Sequence, residues 1–122
     1  MSKEKIKELG VVSHIQVVLE NGQRVVKDRA LFEVRFGKML VDSVSADKIQ
    51  IFLCRGETFE IESQNFFICV EAKDIEMPSN FLMKIGDVIF EVEKINDMEL
   101  TVKRIIKGGF VKSGNKVMIV KF

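Results

Sequence analysis

From Val11 onward, the apolar residues of this chain recur at every second position, in short runs cut by Gly, Asn, Asp or Pro about every ten residues. Period two sends successive side chains to opposite faces of an extended backbone, so the pattern suits strands and cannot pack as a helix. Val11, Ser13, Ile15, Val17 and Leu19 fall on one face, and His14, Gln16 and Glu20 on the other. Asn21-Gly22 follows, a pair that tolerates the positive φ of a type I′ hairpin turn. Ala30, Phe32, Val34 and Phe36 then alternate with Glu33 and Arg35, the signature of a half-buried strand.

The pattern continues. Met39 to Val44 and Lys48 to Cys54 read as strands around Ser45-Ala46-Asp47, and Phe59 and Ile61 alternate with Glu60 and Glu62. Phe66 to Val70 is apolar on both faces and reads as a central strand. Val88, Phe90 and Val92 lead to a turn at Asn96-Asp97; Met98, Leu100 and Val102 return, and Val117 to Phe122 closes the chain after Gly114-Asn115. Only Ser2 to Leu9 offers a short helix, with Ser2 as cap and Gly10 as terminator. The expectation is an all-β fold, a small antiparallel barrel or sandwich of about 8–10 short strands. Residues 1–122 form one β domain, with a sub-division near 74–86, around Pro78, into a larger and a smaller β unit. Phe36-Gly37 with the strand after it echoes Ile85-Gly86 with its own, an echo that two related hairpins or two tandem barrels would both produce.

Composition narrows the class further. With 47% apolar and 30% charged residues, the 122-residue chain can build a core without a metal or disulfide staple. A net charge of +1 gives the whole molecule no strong pull on nucleic acid or anionic lipid. Met1 to Leu9 has no apolar stretch resembling a signal peptide. The longest unbroken apolar run, Phe66 to Val70, is far short of the roughly 20 residues a membrane helix needs. Cys54 and Cys69 belong to no CxxC pair and read as reduced thiols within strands; a disulfide between them requires neighbouring strands. These features together read as cytoplasmic. There are 10 Phe but no Trp or Tyr, the two aromatics that usually anchor large recognition surfaces.

Chemistry is not written into the sequence. One His and two scattered Cys do not make a zinc site, and no EF-hand loop is present. A nucleophilic triad would have to be built on His14, and no Gly-x-Ser-x-Gly elbow accompanies it. Glu60 with Glu62, and Glu91 with Glu93, each share a strand face and read as solvated. Lys107-Gly108-Gly109 and Lys112 to Lys116 join strands, unlike phosphate loops that open helices. The expectation is therefore a protein that is not an enzyme and carries no cofactor, metal site or catalytic residue. Gly109 to Ile119 is similar to closing hairpins in many small barrels, including the second domain of translation GTPases, a generic pattern. The PilZ cyclic-dinucleotide signature is not met: Arg24 and Arg29 have the wrong spacing, and Asp42 to Asp47 lacks its Ser position and Gly.

Charge layout carries the most information. Residues 57–100 hold 11 acidic and 3 basic side chains, whereas residues 101–122 hold 6 basic ones and no acid. Cross-strand compensation, head-to-tail self-association and a nucleic-acid groove all follow from such a layout. The leading expectation is a non-catalytic binding or assembly module that acts on a protein partner or on copies of itself. One alternative is a small barrel that binds nucleic acid through its basic C-terminal hairpin. A further alternative is a small-molecule or nucleotide sensor with a pocket at the barrel mouth. The residues expected to contact an anion or nucleic acid are Lys103, Arg104, Lys107, Phe110, Lys112 and Lys116.

Overall fold

Strands carry the chain wherever the computed structural model describes it, over residues 7–18, 23–46, 48–54, 66–73 and 76–121. In the first part these are β1 (Lys7–Val18), β2 (Arg24–Lys27), β3 (Arg29–Arg35), β4 (Lys38–Val41), β5 (Val44–Ser45) and β6 (Ile49–Cys54). The second part adds β7 (Phe66–Ala72), β8 (Asn80–Ile85), β9 (Val88–Lys94), β10 (Glu99–Lys107), β11 (Gly109–Lys112) and β12 (Lys116–Lys121). Around the barrel the order is β1-β12-β8-β9-β10-β6-β7, and β7 pairs with β1 to close it. Every neighbouring pair is antiparallel except β6 and β7, which run parallel. β2 lies along the distal half of β1, and a second sheet has the order β11-β3-β4-β5.

This architecture is a barrel with an added sheet, built from strands on both sides of the 74–86 stretch. One contiguous core fills it, from Leu9 and Val12 through Ile51 and Ile68 to Phe90, Val102 and Ile119. The continuous apolar run is explained by β7, flanked on both sides, in which Phe67, Ile68, Cys69 and Val70 are all buried. The first hairpin of the echo, β3–β4, belongs to the second sheet, and the second, β8–β9, to the barrel wall.

Two expectations about the N-terminal segment are corrected. The helix over Ser2–Leu9 is absent from its described part, because Lys7, Glu8 and Leu9 are extended and paired with β12. Leu9 is buried in the core, and Gly10 serves close approach rather than helix termination. A Cβ at Gly10 would stand 2.0 Å from the carbonyl oxygen of Glu71 on β7. The face assignment also changes along β1. A bulge between Val12 and His14 shifts the register, so Val12 and Ile15 point inward while Val11 lies at the surface. The turn at Asn21-Gly22, and the strand pattern of Phe59 to Glu62, lie outside the described residues; β1 and β2 do pair, with Val18 opposite Arg24.

The second sheet plugs the barrel. Ala30, Phe32, Val41 and Val111 face the core, and the Phe32 ring meets Phe90 of β9 edge-on, with centroids 5.4 Å apart at 89°. Beyond Phe32 the half-buried strand runs off the barrel: Val34 is exposed, and Phe36 stands at the β3–β4 turn with 101% relative exposure. Phe36 and Gly37 both have positive φ, as a two-residue primed turn requires. A second such turn, at Asp42-Ser43, divides what the sequence suggested was one strand from Met39 to Val44. Asp42 tolerates it because its carboxylate accepts hydrogen bonds from the Leu31 amide (2.8 Å) and from Lys27 Nζ (2.6 Å). Burial pushes its pKa up, but those two bonds and the charges of Lys27 and Arg29 outweigh it and hold the group below its ordinary value.

Candidate functional site

The six residues expected to contact an anion fall into three places. Two bulges in β10, between Val102 and Arg104 and between Ile105 and Lys107, break its alternation. Lys103 and Arg104 therefore both reach solvent, and so do Ile106 and Lys107. Lys103 and Arg104 border a cavity of about 490 Å³ beneath the overhanging β3–β4 hairpin, with Val34, Met39 and Ile105 as its apolar lining. Lys107, Phe110 and Lys112 border a different cavity, at the end of the barrel. Lys116 joins neither; its Nζ lies 3.9 Å from Glu8.

Cross-strand compensation accounts for part of the charge segregation. Arg104 sits opposite Glu91 in the β9–β10 register and donates from Nε to its carboxylate at 2.6 Å. Lys116 and Lys73 both face Glu8, whose pKa is lowered by the hydrogen bond and charge of Lys73. Lys103, Lys107 and Lys112 form no ion pair among the described residues.

The residues that sequence reasoning missed lie on the outer face of the second sheet. Pairing aligns Lys112 with Arg29, Phe110 with Leu31, Leu40 with Glu33 and Lys38 with Arg35. The alternate positions, Ala30, Phe32, Val41 and Val111, are the buried ones, so these eight side chains share the side away from the core. Phe110, Leu31 and Leu40 make an apolar strip there, with two cations at each end. Arg29 holds its guanidinium carbon 5.2 Å from the centroid of the Phe110 ring. Glu33 lies within the strip; one carboxylate oxygen contacts Arg35 at 3.4 Å, and the other is shielded from water without a hydrogen-bond partner. The signal for this face was present in the sequence, as the polar partners of the Ala30–Phe36 alternation. What the sequence did not carry was the pairing of β11 with β3.

Other candidate groups are placed clearly. Cys54 and Cys69 stand on the neighbouring parallel strands β6 and β7, within hydrogen-bonding reach of each other, and both are free thiols. Burial pushes the Cys69 thiol up to about 12, and burial also raises Cys54. His14 is half-buried rather than a freely solvated surface residue, with Ser13 Oγ 3.0 Å from Nδ1 and Gln16 Nε2 3.0 Å from Nε2. Its second partner is an amide, not the carboxylate that orients a catalytic imidazole. No group of three or more His, Cys, Asp or Glu among the described residues is placed to hold a metal ion. No helix of the structure, among those residues, is long and apolar enough to cross a membrane. Comparison of the chain with family models, with curated proteins and with solved structures finds no match.

Proposed function

We propose that this protein is a non-catalytic binding module that docks an acidic protein partner on the outer face of its second sheet. The observation that carries the reading is the Phe110–Leu31–Leu40 strip, with Phe110 exposed and both leucines half-buried, flanked by Arg29 and Lys112 at one end and Arg35 and Lys38 at the other. Such a patch combines an apolar centre with a charged rim, the anatomy of a protein interface. Cations at both ends favour a partner of opposite charge and speed its encounter. β5 and β11 are short edge strands, which limits unspecific strand addition and leaves the face as the docking element.

Native mass spectrometry of the protein isolated from its own cells tests this. A stoichiometric acidic protein is expected on the wild type, and it should be lost from Leu31→Asp and Leu40→Asp variants that remain folded by circular dichroism. Retention of the partner by both variants would refute the reading. Single-stranded nucleic acid on the same face is the second reading, favoured by the exposed Phe110 ring with Arg29 over it. It requires oligonucleotide binding that weakens steeply with salt and is lost in Phe110→Ala.

A further inference from the structure

Three connections meet at one end of the barrel: the Gly86-Asp87 turn of β8–β9, the Lys107-Gly108-Gly109 link from β10 to β11, and the turn from β11 to β12. They border an open cavity of about 430 Å³, lined by Lys107, Phe110, Lys112, Asn115 and Asp87. This is the size at which small-molecule sites begin, roughly 300–1,000 Å³. The wall is rigid. Gly114 donates to the Val12 carbonyl at 2.8 Å, Val12 donates to that of Asn115 at 2.9 Å, and Ser113 donates to that of Asp28 at 2.7 Å. A Cβ at Gly108 would sit 2.6 Å from the Phe32 carbonyl oxygen, so glycine alone lets this link lie against β3.

Among the described residues, the cationic donors of the cavity are uncommitted. Lys107 and Lys112 make no ion pair among the described residues. Asn115 Oδ1 accepts the Lys112 amide at 2.8 Å, which fixes the side chain and leaves Nδ2 as a donor; no acceptor meets it among the described residues. Phe110 adds a flat apolar wall, and Asp87 is the single acid of the lining. We propose that this end of the barrel binds a phosphate group carried by a small planar ligand of the nucleoside monophosphate class. Lys107, Lys112 and Asn115 Nδ2 contact the phosphate oxygens, and the Phe110 ring takes the planar group. The cavity shares Phe110 and Lys112 with the edge of the outer-face strip, whereas Lys107, Asn115 and Asp87 lie outside it, so substitutions at Lys107 and Asp87 test this site apart from the protein-docking reading.

The test is a titration of the isotope-labelled full chain, followed by amide chemical shifts, with inorganic phosphate, adenosine monophosphate and a single-stranded oligonucleotide. Sodium chloride at matched ionic strength is the control. Both small probes should move Gly86, Gly108, Gly109 and the Asn115 side-chain amide, with the nucleotide binding more tightly. Lys107→Gln should weaken binding about two- to fivefold, the range of an exposed charge pair, and Asp87→Asn should strengthen it by a similar factor. Both substitutions are at exposed positions, and the spectrum of each variant reports its fold directly. Binding of the oligonucleotide alone would assign the phosphate chemistry to nucleic acid and overturn the small-ligand site. Shifts that chloride reproduces, or that both substitutions leave unchanged, would overturn it as well.

Discussion

Truncating Phe32 to Ala tests whether the second sheet is packed onto the barrel or merely laid beside it. The ring is fully buried and meets Phe90 edge-on. An aromatic side chain buries about 150–250 Å², worth up to roughly 4–6 kcal/mol at ~25 cal/mol per Å². The Ala methyl keeps a fraction of that, while the lost edge-to-face pair and the remaining cavity add about 1 kcal/mol or more. The expected cost is about 4 kcal/mol, against a total stability of roughly 5–15 kcal/mol for a domain. In urea this moves the midpoint down by about 2 M if the slope is ~2 kcal/mol per M. Far-UV circular dichroism is the natural probe, because the chain has no Trp or Tyr to report by fluorescence. Phe36→Ala is the internal control: the same side chain is removed from a fully solvated position. Hydrogen exchange should accelerate first in β3, β4 and β11, whose inner face the ring anchors. A loss below about 1 kcal/mol, or one no larger than that of the control, would refute the account of Phe32 as the plug of the barrel.

Three further outcomes follow from single residues. Phe36→Gly should raise stability by about 1 kcal/mol, because its φ of 51° is a left-handed conformation that a side chain disfavours; thermal unfolding measures it. Gly10→Ala should cost about 3 kcal/mol or abolish folding, since the added methyl meets the Glu71 carbonyl at 2.0 Å; a near-wild-type denaturation curve would show that β1 and β7 can separate. Cys69 ionises near 9.0 when exposed and at about 12 when folded. Its contribution is therefore intact below pH 9 and is lost as pH rises through that window, by about 1.4 kcal/mol per unit. Alkaline denaturation series of wild type and Cys69→Ala check this: the variant should lack that slope, and equal slopes would contradict the assignment.

Strand content was legible from alternation because burial on one face of a pleated backbone imposes period two on the residues themselves. Phe66 to Val70 shows this most directly: an uninterrupted apolar run demanded neighbours on both sides, and β6 and β1 supply them. The absence of zinc-site spacing and of a nucleophile elbow was equally a property of residue types. Alternation is silent, however, about which strand lies beside which. It could not reveal that β12 closes the barrel on β1, that β6 and β7 run parallel, or that β3 to β5 leave the barrel to form a second sheet. Bulges are invisible for the same reason, since one extra residue flips every later side chain without any change in composition. That is how Val12 rather than Val11 came to face the core, and how Lys103 and Arg104 both reached solvent. The basic segment thus set the charge of residues 101–122, but only strand pairing divided it among salt bridges, an outer sheet face and cavities. Apart from Glu91 and Arg104, which share one hairpin, those partners are far apart in the chain, and the hydrogen bonds that join their strands carry no local sequence code.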